Sequence, residues 1–139
     1  MTHRSEYKCG SILRIRLTNF VTYDSCELFP GPKLNMIIGP NGTGKSSIVC
    51  AIGLGLGGAP SVGSACNKFV NKFAKTLQLL GRAKEVSFFV KHGCEKATIE
   101  IELKGKSGPH VVARVLNRKD NSSDWCLDGL VLRSVTIAS

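Results

Sequence analysis

Apolar and polar side chains alternate in several short stretches of the chain, a pattern typical of β-strands with one buried face. Residues 11–17 alternate isoleucine and leucine with arginine, and residues 97–103 alternate isoleucine and leucine with glutamate and threonine. A turn over 105–109 leads to a predicted return strand at 110–116. A shorter strand is predicted at about 26–29, where a Pro-Gly-Pro run ends it.

Between these strands the pattern changes to one strand, one loop and two helices. The compact apolar run 34–38 predicts a buried strand, the glycine-rich residues 39–44 predict a loop, and residues 45–56 predict a helix. Residues 66–80 carry apolar side chains at helical spacing with three lysines on the opposite side, which predicts an amphipathic helix. The Asp128-Gly129 pair, between two apolar runs, predicts a type I′ hairpin turn.

The predicted loop carries the clearest chemical signal in the chain. Residues 39–46 read GPNGTGKS and fit the phosphate-binding P-loop pattern GxxxxGK[ST]. The glycines let successive N–H groups point at a phosphate, and the helix that follows adds the positive end of its dipole. Lys45 would reach the β- and γ-phosphates, and the Ser46 hydroxyl would bind Mg²⁺. The predicted ATP-phosphate ligands are Gly39, Pro40, Asn41, Gly42, Thr43, Gly44, Lys45, Ser46 and Ser47.

Length and composition favour one globular domain and leave the partner open. The chain has 139 residues, 42% of them hydrophobic, and a formal net charge of +9, which suits a polyanionic partner. Its six cysteines lack zinc-site spacing, so reduced cysteines in an intracellular protein are expected. The longest apolar stretch, 48–60, is shorter than the roughly 20 residues that a membrane span needs, so no membrane association is predicted.

The residues that would hydrolyse a bound nucleotide are harder to find. A P-loop ATPase also needs an apolar strand that ends in an acid, and no apolar run of four residues here ends in aspartate. The nearest candidate ends at Asp128, which suits the hairpin turn better, and the only glutamine is Gln78 in the amphipathic segment. Whether the chain is an enzyme is therefore open, and we expect nucleotide binding without turnover from this chain alone.

At this point the sequence resembles a known family. Residues 11–58 resemble the N-terminal head of structural maintenance of chromosomes (SMC) ATPases, with a basic strand, an Asn19-Phe20 step, a short strand and the P-loop. The resemblance resumes at about Gly81 and continues to near Gly129. It implies an α/β P-loop NTPase of the ABC/SMC head type, present as an incomplete N-terminal lobe. Residues 1–10 would be disordered, and residues 11–139 would form the partial head.

The resemblance also implies partners and further site residues. Thr22 and Tyr23 match positions next to the nucleotide base, and Arg82 matches an arginine that can approach the phosphates or DNA. The cofactors would be ATP and Mg²⁺, and the partners a Smc6-type head, non-SMC elements and DNA bound without sequence specificity. Such a protein would act in an Smc5–Smc6-type complex in the nucleus, on chromosomes, in chromosome maintenance and DNA repair by homologous recombination.

Two departures from the family pattern affect this interpretation. Residues 63–80 stand where the family runs almost directly from one glycine-rich step to the next, so they are predicted to be an insertion. The family's signature motif, glutamine loop and magnesium-binding acids are also missing. Because an ABC head normally completes its sheet with strands from the far end of the polypeptide, low solubility or dependence on a partner is expected.

Two other functions stay open at this stage. Residues 61–96 carry seven Lys and Arg against two acids, so the chain could be a basic DNA-binding module whose P-loop is vestigial. A small P-loop kinase or GTPase is the third possibility. The absence of a guanine-reading motif and of an arginine-rich lid counts against it.

Overall fold

The computed structural model describes residues 6–57 and 85–132, and their main feature is one antiparallel sheet. Its strands are β1 Ile12–Phe20, β2 Tyr23–Leu28, β3 Lys96–Lys104, β4 Pro109–Asn117, β5 Ser123–Leu127 and β6 Leu130–Leu132. Their order across the sheet is β2-β1-β3-β4-β5-β6. One helix, α1, spans Lys45–Gly55, and a 3₁₀ turn spans Val86–Phe89. The predicted strands at 97–103 and 110–116 are confirmed within slightly longer strands, and the strand predicted at 11–17 is confirmed as β1, which begins one residue later and extends to Phe20.

Strand β1 lies between β2 and β3 and shows why the alternation of its residues predicted a strand. Ile15 and Leu17 are buried on the face that packs against α1, whereas Arg14 and Arg16 point to the other face. Four ion pairs join these arginines to neighbouring strands: Arg14 to Glu27 at 3.2 Å and to Glu102 at 3.1 Å, and Arg16 to Glu27 at 3.2 Å and to Glu100 at 3.6 Å. The basic character of β1 is therefore balanced by carboxylates within the sheet.

Helix α1 packs on the inner face of the sheet across β1, β3 and β4. The core contains Ile15, Leu17, Phe20, Cys50, Ala51, Leu54, Val86, Phe89, Val90, Ala97, Ile99, Ile101 and Leu116. Phe20 and Phe89 stack with their ring centroids 5.8 Å apart. At the end of the helix, Gly55 lets the backbone come so close to β3 that a Cβ there would lie 2.6 Å from the Ile101 Cδ1.

Gly55→Ala is expected to lower the free energy of unfolding by about 1–3 kcal/mol, because the new methyl group overpacks the contact between α1 and β3. The better helix propensity of alanine opposes this loss only in part. Urea denaturation measures the difference. In an Ile101→Val background, which lacks the crowding Cδ1, the same substitution should cost less. An equal cost in both backgrounds would contradict the contact.

The segment Leu34 to Ile38 was predicted to be a buried strand, and that prediction is wrong. It has no strand pairing with the described residues, and Leu34 and Ile38 are 91% and 83% exposed. The Asn35 side chain accepts a hydrogen bond from the Gly31 N–H at 2.6 Å and donates to the Gly31 carbonyl at 3.1 Å. These bonds fold the segment back on the Pro-Gly-Pro turn, because a local side-chain partner competes with strand pairing.

The structure also tests the predicted hairpin turn and shows how the chain enters β3. The Asp128-Gly129 turn is confirmed, since both residues have the positive φ values of a type I′ turn, 49° and 83°. Before β3, residues Val86–Phe89 form the 3₁₀ turn, and Val90 then bridges to Phe20.

Several predicted segments fall partly or wholly outside the described residues. Within the stretch 1–10, for which disorder was predicted, residues 6–10 are described, and there the Tyr7 hydroxyl donates to the Pro30 carbonyl oxygen at 2.8 Å. The amphipathic segment 66–80, the predicted insertion 63–80 and Arg82 lie outside the described residues. Among residues 6–57 and 85–132, no helix combines the length and the apolar character that a membrane span needs.

Candidate functional site

The P-loop wraps around the N-terminus of α1. Two of its glycines have left-handed backbone conformations, with φ of +85° at Gly42 and +91° at Gly44. Gly44 is the N-cap residue, and no side chain caps the helix there. The first turn of α1 also has no acidic residue. The positive end of the helix dipole is therefore left for an external anion.

A cavity of about 110 Å³ lies at this helix end. It is lined by Thr22, Asn41, Gly42, Gly44, Lys45, Ser46 and Ser47. Because a water molecule occupies about 30 Å³ in the liquid, the cavity has room for a group several times larger. Left-handed glycines, an uncapped helix N-terminus and a lysine are the features that a phosphate-binding loop needs, so this cradle fits the phosphates of a nucleotide.

Hydrogen bonds within the loop hold its shape. The Lys45 Nζ donates to the carbonyl oxygen of Gly39, so the lysine reaches across the whole loop to its first residue. A lysine ammonium has three N–H donors, and the other two can serve phosphate oxygens. The Thr43 hydroxyl donates to the Pro40 carbonyl oxygen at 2.7 Å. A Cβ on Gly39 would lie 2.9 Å from that hydroxyl, which explains why the loop begins with glycine.

The turn between β1 and β2 brings Thr22 and Tyr23 to the loop. Thr22 lines the cavity, while the Tyr23 hydroxyl donates to the main-chain carbonyl oxygen of Thr43 at 3.1 Å. Burial raises the pKa of the Tyr23 hydroxyl above its ordinary value, and the nearby Cys26 thiol adds to the rise. The structure thus brings both residues to the P-loop, while the placement beside the nucleotide base that the resemblance implied stays a prediction.

The predicted magnesium ligand, Ser46, is exposed and lines the cavity, whereas Ser47 is buried. Across residues 6–57 and 85–132, no three His, Cys, Asp or Glu side chains gather into a metal site. A hydroxyl combined with phosphate oxygens is the way a P-loop holds Mg²⁺, so Ser46 is the group that this chain would contribute.

One buried residue that was not predicted from the sequence holds the end of α1 opposite the site. Arg114 of β4 is 7% exposed and donates to the Leu54 carbonyl oxygen, near the end of α1, at 2.9 Å. It also donates to the Ser123 hydroxyl at 3.1 Å, and its guanidinium lies 4.6 Å from the centre of the Trp125 ring. Burial lowers the pKa of Arg114. The sequence signal that could have indicated its burial is its position in β4. It lies two residues before the buried Leu116 and therefore on the same side of the strand.

The sequence of the chain is similar to one family model and to several known proteins. Residues 14–127 match the AAA domain family. The chain is 47% identical over 135 residues to structural maintenance of chromosomes protein 5 of Schizosaccharomyces pombe, covering 97% of this chain and 11% of that protein. It is 38% identical to the protein of the same name from Arabidopsis thaliana, covering 86% of this chain and 10% of that protein. The chain thus spans about a tenth of the length of these relatives.

Solved structures show the same fold at low sequence identity. One comes from work on ATP-driven dimerization and DNA-stimulated activation of SMC ATPases, with a TM-score of 0.67 and 21% identity. It covers 88% of this chain and 72% of the other. The recombination mediator protein RecF aligns with a TM-score of 0.65 and 19% identity, over 92% of this chain and 29% of RecF. The predicted fold, the N-terminal lobe of an SMC-type P-loop head, is confirmed.

Proposed function

Because the chain belongs to the structural maintenance of chromosomes family of AAA-domain proteins, we propose that it is the ATP-binding N-terminal part of an SMC head. The observation that carries this proposal is the cradle at the N-terminus of α1. The cavity there is suited to a phosphate group. It is surrounded by the left-handed Gly42 and Gly44, the uncapped helix end and Lys45.

Each residue of the cradle has a distinct part in binding. The N–H groups at the start of α1 would donate to phosphate oxygens, and Lys45 would hold the β- and γ-phosphates while keeping its bond to the loop. Ser46 would bind Mg²⁺, which neutralises phosphate charge when it is bound. The described residues show no acid placed to activate water beside the cavity. We therefore expect binding without turnover from this chain alone.

The wider role follows from the relatives. We propose that the protein acts in an Smc5–Smc6-type complex on nuclear chromosomes, in chromosome maintenance and DNA repair by homologous recombination. The supporting observation is similarity both to protein 5 of the family and, at 36% identity over 70% of this chain, to protein 6A of Arabidopsis thaliana. The P-loop would face a Smc6-type partner head, and non-SMC elements and DNA would complete the assembly.

The alternative, a DNA-binding module with a vestigial P-loop, finds little support in the described surface. Arg14 and Arg16 are paired with glutamates, Lys91 with Asp24, and Arg118 donates to the Val90 carbonyl oxygen. Most of the basic stretch 61–96 lies outside the described residues. We therefore place ATP binding first and keep DNA contact as a secondary role of the same head.

Isothermal titration of the chain with ATP, ADP and AMP in the presence of Mg²⁺ tests the proposal. We expect affinity to fall in that order, because the cradle binds phosphates, and to fall again when EDTA removes the metal. Equal affinities for ATP and AMP would contradict the proposal. Retention on DNA at moderate salt, unaffected by ATP, with no heat from any nucleotide, would favour the vestigial P-loop instead.

A further inference from the structure

The turn that carries Tyr23 is held rigidly against the core. Phe20 and Tyr23 pair across the β1–β2 hairpin, which leaves Val21 and Thr22 as its two-residue loop. Val21 has a φ of +52°, an unfavourable conformation for a β-branched residue. Its N–H donates to the Phe89 carbonyl oxygen at 2.8 Å. Such a backbone conformation persists only where the surroundings fix it, and here Phe89 fixes it from below.

This fixed turn presses Tyr23 against the P-loop. A Cβ on Gly44 would lie 2.7 Å from the Tyr23 hydroxyl oxygen and 3.0 Å from the Thr22 hydroxyl oxygen. Gly44 therefore lacks a side chain for two reasons: its φ of +91°, and the closeness of this pair. The Thr22 and Tyr23 hydroxyls therefore occupy the space on this side of Gly44.

The hydrogen bond of Tyr23 acts on one peptide unit. The hydroxyl donates to the carbonyl oxygen of Thr43 at 3.1 Å, and that carbonyl shares its peptide plane with the N–H of Gly44. In a trans peptide the C=O and N–H point in opposite directions. Holding the Thr43 carbonyl on the tyrosine therefore turns the Gly44 N–H away from it. A tyrosine hydroxyl is protonated at neutral pH and can therefore donate, and burial raises the pKa of Tyr23 further.

We propose that Tyr23 is a positioning residue that sets the orientation of the Thr43–Gly44 peptide, and with it the affinity of the P-loop for a polyphosphate. This inference rests on the proposed function and differs from the expectation that Tyr23 lies beside the base. We call this positioning role of Tyr23 the brace. The brace depends on the hydroxyl and affects how the phosphates bind, whereas a residue that stacks on the base depends on its ring and affects how the base binds. The two roles can therefore be separated by removing one oxygen atom.

Tyr23→Phe in the full chain removes that oxygen and leaves the ring. Tripolyphosphate, which has no base, and ATP are titrated with Mg²⁺ against this variant and the parent chain. We expect both ligands to bind about three- to tenfold more weakly, the effect of one hydrogen bond. Tyr7→Phe is the matched control, because the Tyr7 hydroxyl also donates to a main-chain carbonyl oxygen, that of Pro30, away from the P-loop. It should leave both affinities unchanged.

Amide hydrogen exchange of Gly44 without ligand reads the brace directly. We expect faster exchange in Tyr23→Phe than in the parent or in Tyr7→Phe, with an unchanged thermal transition. Unchanged exchange and unchanged tripolyphosphate affinity would overturn the brace, and Tyr23 would then be left with its ring alone. If the parent chain binds neither ligand, the proposed function fails, and the exchange rates still decide whether Tyr23 orders the loop.

Discussion

Lys45→Ala is expected to weaken ATP binding by roughly 10- to 100-fold, since hydrogen bonds to charged groups contribute about 1.5–3 kcal/mol each. Among the described residues that line the cavity of the P-loop, Lys45 alone carries a positive charge. It is half-buried and held across the loop by the Gly39 carbonyl oxygen, so it is already in place when a phosphate arrives. Its loss removes a prearranged charge and the bond that keeps the two ends of the loop together.

Titration calorimetry with ATP and Mg²⁺ measures the loss of affinity. Two further variants serve as comparisons. Lys33→Ala removes an exposed lysine from the segment before the P-loop and should leave the affinity unchanged. Lys45→Arg keeps the charge but replaces a compact ammonium with a planar fork, so it should restore only part of the affinity. Equal binding by Lys45→Ala and the parent chain, with both folded, would rule out a phosphate-binding role for the loop.

The sequence predicted the glycine-rich loop and the helix after it because everything that they need is local. The glycine spacing, the lysine and the start of α1 lie within eight residues, and the structure places Gly42, Gly44 and Lys45 around one cavity. The strands β1, β3 and β4 were equally predictable, since alternation directly reflects one buried face. For these elements, neighbouring residues determine the conformation.

The wrong and missed predictions concern an apolar segment without a partner strand and contacts between distant parts of the chain. The residues 34–38 are as apolar as a buried strand, but apolar composition does not say whether a partner strand is present, and Asn35 folds the segment back instead. Only resemblance suggested that Thr22 and Tyr23 lie near the nucleotide, because nothing local joins a hairpin turn to the P-loop, 20 residues away, which Tyr23 contacts. Arg114 was missed because its partner Leu54 is 60 residues distant.

Arg114→Ala is expected to reduce the free energy of unfolding by about 3 kcal/mol, through the loss of charged hydrogen bonds and the cation–π contact with Trp125. The guanidinium sits where α1 ends, so it also complements the negative end of the helix dipole. Its removal leaves the Leu54 carbonyl oxygen in a buried position without this donor. A loss of this size corresponds to a fall of roughly 10 °C in Tm for a domain of this length.

Thermal and urea unfolding followed by circular dichroism measure this loss, with Arg118→Ala as the control. Arg118 also donates to main-chain carbonyl oxygens, those of Val90 and Lys91, but it is exposed, so its removal should cost less than 1 kcal/mol or so. Arg114→Lys keeps a charge near Leu54 yet cannot also reach Ser123 and stack on Trp125, so it should fall between the parent and Arg114→Ala. Equal stability of Arg114→Ala and Arg118→Ala would show that the sheet holds α1 without the arginine.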